Sequence, residues 1–222
     1  MKQEIVTTKD GSTSIYLPEW NESYHSKHGA IQEANHVFIN AGLHFVNLPK
    51  ISILEIGFGT GLNAWLTLLE ANKHSSNVSY VGVEAYPVRE DVWRVMNFSS
   101  LANDFFLQNH FSKLHESEWE QWSEITPNFK LLKKKMFFQD IDFVQEFDLI
   151  YFDAFGFRVQ PELWSEQIFA KMYHALKPNC VLVTYACRGP IKRAMQANGF
   201  LVEKLPGPPG KREMLRAIKS TQ

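Results

Sequence analysis

The sequence predicts an α/β domain on a mainly parallel sheet, and three observations predict it. From Ile51 onward, β-prone runs alternate with helical spacing; a glycine turn joins the first of these strands to its helix; and two closing strands follow one another with no helix between them. Repeated strand–helix units bury a parallel sheet beneath helices on both faces, and the consecutive last pair adds an antiparallel edge. The expectation is a Rossmann-like domain with seven strands and a C-terminal antiparallel hairpin.

In chain order, Glu4 to Thr8 and Ser12 to Leu17 flank the turn signal Asp10-Gly11 and predict a hairpin. Gly29 to Ala41 sets Ala30, Ala34, Val37, Phe38 and Ala41 on one side of a helix. Residues 1–50 thus read as a small extension packed on a domain spanning 51–222, the whole forming one unit. Ile51 to Ile56 is that domain's first strand, Leu62 to Ala71 its first helix, and Val78 to Glu84 a strand ending in an acid. Asp91 to Pro127, rich in Trp, Phe and His, reads as helices. Phe129 to Phe138 predicts a strand with an exposed lysine cluster, closed by Gln139-Asp140; Phe147 to Phe152 is a buried strand running into Asp153. Glu162 to Leu176 spaces Trp164, Ile168, Met172 and Leu176 four apart on a helix, and Pro178-Asn179 turns the chain into the strand Cys180 to Tyr185. Ile191 to Ala197 is helical and stops at Asn198-Gly199. Phe200 to Leu205 and Glu213 to Ile218 then pair across a Pro/Gly turn.

Composition narrows the function classes. Hydrophobic residues at 45% and charged residues at 21% exclude a disordered chain. The 23 basic and 24 acidic side chains nearly cancel, so any binding to nucleic acid must rest on a local patch. The N-terminus lacks the apolar core of a signal peptide, and no apolar run is long enough to span a bilayer. Two cysteines, Cys180 and Cys187, make no disulfide framework. A cytoplasmic protein without a membrane partner is expected.

The turn Glu55-Ile56-Gly57-Phe58-Gly59-Thr60-Gly61 has the spacing G-x-G-x-G, preceded by an acid. A dinucleotide fingerprint needs its third glycine at Leu62, and a phosphate-binding loop needs a Lys-Ser/Thr pair; neither is present. Gly57, Gly59 and Gly61 let a ligand approach the backbone, where N–H groups at the helix start meet its polar atoms. Glu84 ends the second strand, where a carboxylate accepts hydrogen bonds from two ribose hydroxyls. Asp140, with Asp142 as its near alternative, follows the third strand, where an acid accepts from an adenine amino group. Acids converging on one crevice repel a pyrophosphate and suit an adenosine with a cationic tail. S-adenosylmethionine fits, and the sequence therefore favours methyl transfer in a class I S-adenosylmethionine-dependent fold.

Leu54 to Asn63, Tyr151-Phe152-Asp153-Ala154-Phe155 followed by Pro161-Glu162-Leu163-Trp164, and Gly210-Lys211-Arg212-Glu213-Met214 are similar to motifs of the MnmC methyltransferase-domain family. Order and spacing hold from about Tyr24 to Ile218. The resemblance implies methylation of the exocyclic amine of 5-aminomethyl(-2-thio)uridine at the tRNA wobble position, giving the 5-methylaminomethyl product. It also brings Phe58 and Asn63 into the cofactor set with Glu55, Gly57, Gly59, Gly61, Glu84, Asp140 and Asp153. The chain carries no second dinucleotide fingerprint, so it resembles the stand-alone, MnmD-like form without an FAD domain, with the amine supplied by a separate oxidoreductase or by none. Gly156 and Phe157 stand where fused members have Ala-Pro. Two other readings stay open: a methyltransferase acting on another RNA or a small amine, and an inactive nucleotide- or RNA-binding module.

Asp153, at the end of the fourth strand, is the expected catalytic residue, orienting the amine and receiving its proton. Phe155 or Phe157 stacks on an extruded base, or pads the pocket. Beyond Tyr185 lie Arg188, Lys192, Arg193, Lys204, Lys211, Arg212, Arg216 and Lys219 against Glu203 and Glu213 alone, a positive surplus suited to tRNA phosphates. Lys133-Lys134-Lys135 extends it or is a solvated turn. His25 and His28 lack further ligands in sequence reach, and no metal is expected. Tyr24, His25, Ser26 and Cys187 receive no role.

Overall fold

The computed structural model describes residues 2–101 and 108–220. The chain opens with β1 (Glu4–Thr7), β2 (Thr13–Leu17) and the short β3 (Glu22–Ser23), which form a three-stranded antiparallel sheet. Gly11 supplies the positive φ at the tip of the hairpin, and Asp10 accepts hydrogen bonds from Ser12 and from the Gln32 backbone, tying the hairpin to the helix that follows.

That helix, α1, spans 30–46: an α-helical start at Ala30–Ala34, a π-helical stretch Asn35–Leu43, and a last turn His44–Val46. Ala30, Ala34, Val37 and Phe38 are buried as their spacing predicts, while Ala41 is only partly covered. The helix lies so close to the sheet that a Cβ on Gly42 would sit 3.0 Å from Val183.

The main sheet follows in alternation: β4 (Lys50–Ile56), α2 (Leu62–His74), β5 (Asn77–Val83), short helices α3 (Glu90–Trp93) and α4 (Phe98–Leu101), α5 (Gln108–Glu116), β6 (Trp122–Thr126) and β7 (Phe129–Lys134). After β8 (Phe147–Phe152) come α6 (Glu166–Ala175), β9 (Leu176–Thr184), α7 (Gly189–Ala197), β10 (Phe200–Pro206) and β11 (Glu213–Lys219). The order across the sheet is β10-β11-β9-β8-β4-β5-β7-β6. Pairs among β4, β5, β7, β8 and β9 are parallel; β11 runs against β9 and β10, the predicted hairpin.

Eight strands replace the expected seven, because β6 pairs antiparallel with β7 at the far edge. Its mostly polar WSEIT run buries only Ile125 and Thr126, so a helical reading of 91–127 absorbed it. Within that reading, residues 102–107 lie outside the described residues. The expected helix Glu162 to Leu176 is also divided: a 3-10 turn Pro161–Trp164 precedes Ser165, whose hydroxyl caps α6, and Leu176 already belongs to β9.

Pleating sends alternate side chains to two cores. Ile53, Tyr80, Leu149, Tyr151 and Val183 face a layer with Phe38 of α1, Trp65 of α2 and Ile15 of the hairpin. Leu54, Val81, Ile150, Phe152 and Leu182 face Phe169 and Met172 of α6 and Met195 of α7. The same alternation overturns the exposed lysine cluster. Phe129, Leu131 and Lys133 share the inward face of β7, and Lys133 is 1% exposed. Its ammonium donates to the His115 carbonyl at 2.6 Å and lies 5.0 Å from the centre of the Trp119 ring; burial lowers its pKa to about 8. Lys134 is paired with Glu120. Among the described residues no helix is long and apolar enough to cross a membrane.

Candidate active site

All five parallel strands end on the same side, where an open α/β sheet holds its ligand. The glycine turn leaves β4 there. Gly57, at φ 90°, sits against the end of β8 so closely that a Cβ would lie 2.6 Å from the Asp153 carbonyl oxygen. Only glycine permits both the conformation and the approach. Asp153 N–H in turn donates to the Ile56 carbonyl at 2.9 Å. The glycine turn and the catalytic candidate are therefore one packed unit.

Two histidines hold Thr60 in the middle of that turn. His25 Nε2 lies 3.0 Å from Thr60 Oγ1, with His25 Nδ1 3.1 Å from Ser14 Oγ of the hairpin; His115 Nε2–H donates to the Thr60 carbonyl at 3.0 Å. Burial lowers their pKa values to about 4 and about 3, so both rings are neutral struts at physiological pH. Phe58 packs inward, its ring filling the space that a Cβ on Gly82 would need. Among the described residues no side chain caps the start of α2 at Gly61, which leaves first-turn N–H groups for a ligand.

Asn63, on that first turn, donates through Nδ2 to Glu55 Oε1 and to Asp153 Oδ2, each at 2.9 Å. Glu55 is 1% exposed, and its second oxygen is buried without a hydrogen bond. Burial and, after it, the neighbouring Asp153 push its pKa well above the ordinary carboxylate range. Burial likewise raises Asp153 to about 7; Asn63 and Lys211 oppose the rise, and Glu33 adds to it. Glu84 accepts from the Gly59 and Tyr86 N–H groups at 3.0 and 2.9 Å, and burial raises its pKa as well.

These groups line one cavity of about 610 Å³, the size of a small-molecule site. Glu84, Tyr86, Phe137 and Gln139 are among the lining residues. Trp20, Tyr24 and Phe155 form an aromatic wall, with Phe155 edge-on to both other rings and Tyr24 beside Gly59. The loop after Asp153 is pinned by Tyr185, which donates to the Ala154 carbonyl, and by the Trp164 indole, which donates to that of Phe155, both at 2.8 Å. That bond accounts for the spacing between the Asp153 motif and Trp164.

Several expected residues are placed elsewhere. Asp140 is exposed in the 3-10 turn Phe138–Asp140 and does not line the cavity; Phe138 and Gln139 do. Phe157 lies outside the cavity, with the Arg188 guanidinium 5.9 Å from its ring centre. Half of the basic tail is committed: Lys204 pairs with Glu213, Arg216 with Glu203, and Lys211 with Glu33, while Lys219 is buried and donates to the Tyr173 and Leu176 carbonyls. Arg188, Lys192, Arg193 and Arg212 make no ion pair among the described residues. They sit at the start of α7 and of β11, the same side as the cavity. Cys187 donates to Glu213 at 3.5 Å, and burial raises its thiol pKa. The sequence reading missed Trp20, Glu33, Gln139 and Tyr185 in the wall. Glu33 meets Lys211 across 178 positions, a separation no local pattern encodes.

The sequence matches the model of a family described as S-adenosyl-L-methionine-dependent methyltransferase over residues 106–220, just over half of the chain. It is 28% identical over 234 residues to the tRNA 5-methylaminomethyl-2-thiouridine biosynthesis bifunctional protein MnmC of Burkholderia mallei (strain NCTC 10229), covering 95% of this chain and 34% of that protein. The protein of the same description from Cupriavidus metallidurans is 26% identical, with 95% and 33% covered. The chain thus spans about a third of the length of these curated relatives. Among solved structures, MNMC2 from Aquifex aeolicus superposes with a TM-score of 0.79 at 22% identity, covering 97% of this chain and 70% of that one. Spermidine synthase from Thermotoga maritima gives 0.60 at 16%, covering 99% and 69%. Both share the fold.

The raised Asp153 pKa has a consequence for stability. Its ordinary value is 3.8, against about 7 when folded. Between those values the unfolded chain releases a proton that the folded one retains, so the contribution of Asp153, full below about pH 4, is lost as pH rises through about 7. Asp153→Asn removes this slope. Urea unfolding from pH 4 to 8 should therefore show the stability of the variant gaining on that of the wild type up to about pH 7 and level beyond. Parallel curves would contradict the shifted carboxyl.

Proposed function

This chain belongs to the S-adenosyl-L-methionine-dependent methyltransferase family, and we propose that within it the chain methylates the exocyclic amine of 5-aminomethyl(-2-thio)uridine at the tRNA wobble position. The observation that carries this reading is Asp153, a carboxyl poised near neutrality on the cavity wall, packed against the glycine turn and held by Asn63. The names of the relatives support the substrate, and the three motifs of the MnmC type support the assignment to this chain.

The residues present fit the cofactor. The glycine turn and the uncapped start of α2 offer backbone donors, Glu84 has remaining acceptor capacity for ribose hydroxyls, and Tyr86, Phe137 and Gln139 border the adenine position. Phe58 supports the turn from below. When bound, S-adenosylmethionine supplies an electrophilic methyl group on a sulfonium.

The chain's own residues prepare the nucleophile. An alkyl amine arrives as an ammonium, which has no lone pair to donate. Ionised Asp153 attracts it and takes one N–H proton, leaving a neutral amine whose lone pair would be free to accept the methyl group. Asn63, held on its far side by Glu55, fixes Asp153 Oδ2 so that the amine meets a single acceptor geometry. Trp20, Tyr24 and Phe155 exclude water from that exchange and present ring surfaces to a base. The first fifty residues, proposed as an extension on the domain 51–222, thus supply part of the substrate wall. Arg188, Lys192, Arg193 and Arg212 form the proposed phosphate contacts, with Lys211 at the rim.

Incubating aminomethyl-bearing tRNA with the protein and methyl donor should give the 5-methylaminomethyl nucleoside on nucleoside analysis. Asp153→Asn should lower kcat by about 10²–10⁴-fold while donor affinity stays within a few-fold, and the wild-type rate should climb as pH passes about 7. Unchanged turnover in the variant would remove Asp153 from the chemistry. Absence of product from a protein that binds the donor would remove the substrate.

Lys192→Gln/Arg193→Gln should weaken tRNA binding and flatten its log–log salt dependence by about two phosphate contacts, roughly 0.7–0.9 in slope each. Arg216→Gln, whose guanidinium is already engaged with Glu203, Phe45 and the Ala41 carbonyl, should leave the slope as it is. An unaltered slope in the double variant would discard this face.

A further inference from the structure

Away from the cavity, the C-terminal turns of α1 and α2 bring together His44, Glu70 and His74. Glu70 and His74 are four apart and share a helix face, and His44 reaches them from the neighbouring helix. Glu70 Oε2 lies 3.0 Å from His44 Nε2 and 3.5 Å from His74 Nε2; the two imidazoles cross at 83°, and all three donor atoms lie within 4.8 Å of one another. Bonds of about 2.0–2.1 Å at a tetrahedral angle put ligand atoms roughly 3.3 Å apart, so the two separations from Glu70 already suit one ion. Closing the third edge needs only rotation of the two exposed rings, whose side chains are 45% and 63% accessible.

We propose that His44, Glu70 and His74 bind a single divalent transition-metal ion of the zinc type, with water completing the coordination, as a cross-link between α1 and α2. The donor set selects the metal class. Two imidazoles and one carboxylate suit zinc, cobalt, nickel or copper, whereas magnesium and calcium demand oxygen ligands. Lys73 donates to Glu70 Oε1 at 2.6 Å, which fixes the carboxylate and leaves Oε2 facing the imidazoles. Its nearby charge weakens the site without blocking it.

The location gives the ion a role. Both helices begin at the cavity, α1 with Glu33 and α2 with Asn63, and both end at this cluster. An ion bound only by the folded chain stabilises it by mass action and ties together two cavity walls at their far ends. The site differs from the expectation of no metal, which considered His25 and His28. Their partners are Ser14 and Thr60 for the first, and a packing contact with Gly210 for the second.

The test is calorimetric titration of tag-free protein with zinc chloride, paired with thermal unfolding in zinc and in magnesium. One zinc per chain and a raised Tm are expected, with no Tm change in magnesium. His44→Ala and His74→Ala, both at exposed positions, should each weaken zinc binding at least tenfold while keeping the wild-type Tm in chelator. No saturable zinc binding, equal stabilisation by magnesium, or zinc binding that survives both substitutions would overturn the site. Should either alanine variant unfold, His74→Gln replaces it with the same expected loss.

Discussion

One side-chain amide, that of Asn63, donates to two buried carboxyl groups at once, and the organisation of the cavity depends on it. Glu55 ends the first parallel strand, Asp153 ends the strand beside it, and Asn63 stands on the helix that the glycine turn begins. Two carboxylates this close in a dry site repel each other; one must keep a proton. Burial pushes Glu55 well above the ordinary carboxylate range and holds Asp153 at about 7. The glycine turn makes the arrangement possible, since any Cβ at Gly57 would push the two strand ends apart.

Around that centre, neutral groups hold the backbone in place. His25 and His115 grip Thr60 from opposite sides with rings that stay uncharged. Tyr185 and Trp164 fix successive carbonyls just after Asp153. Charges that face the cavity are offset locally, as with Lys211 against Glu33, while uncommitted cations gather outside at the starts of α7 and β11. This ordering leaves the unpaired cations outside the cavity and the titrating Asp153 carboxyl within it.

Local patterns carried most of the fold. The hairpin at Asp10-Gly11, the glycine turn, the buried strand into Asp153 and the closing antiparallel pair all follow from two-residue or four-residue periodicity and turn chemistry. That Gly57, Gly59, Glu84 and Asp153 stand beside one cavity follows from the same alternation, because strand ends in a parallel sheet converge. Errors arose where phase or long range decides. Lys133 alternates with Phe129 and Leu131, a phase visible in the sequence but masked by its lysine neighbours. Asp140 falls outside the cavity that Gln139 lines, since a 3-10 turn advances about 120° per residue and one position changes the face. The pairing of Glu33 with Lys211, and the gathering of His44 with Glu70 and His74, depend on how helices pack, which spacing does not encode.

The central claim is that Asn63 and burial together set the ionisation of Asp153. Carbon-13 NMR titration of side-chain carboxyls, with the Asp153 signal assigned through Asp153→Asn, measures this directly in wild type and in Asn63→Ala. The account predicts a midpoint at about 7 in the wild type, moving higher when the amide that favours the charged form is removed. A wild-type midpoint near the ordinary 3.8, or one that ignores the loss of Asn63, would contradict it.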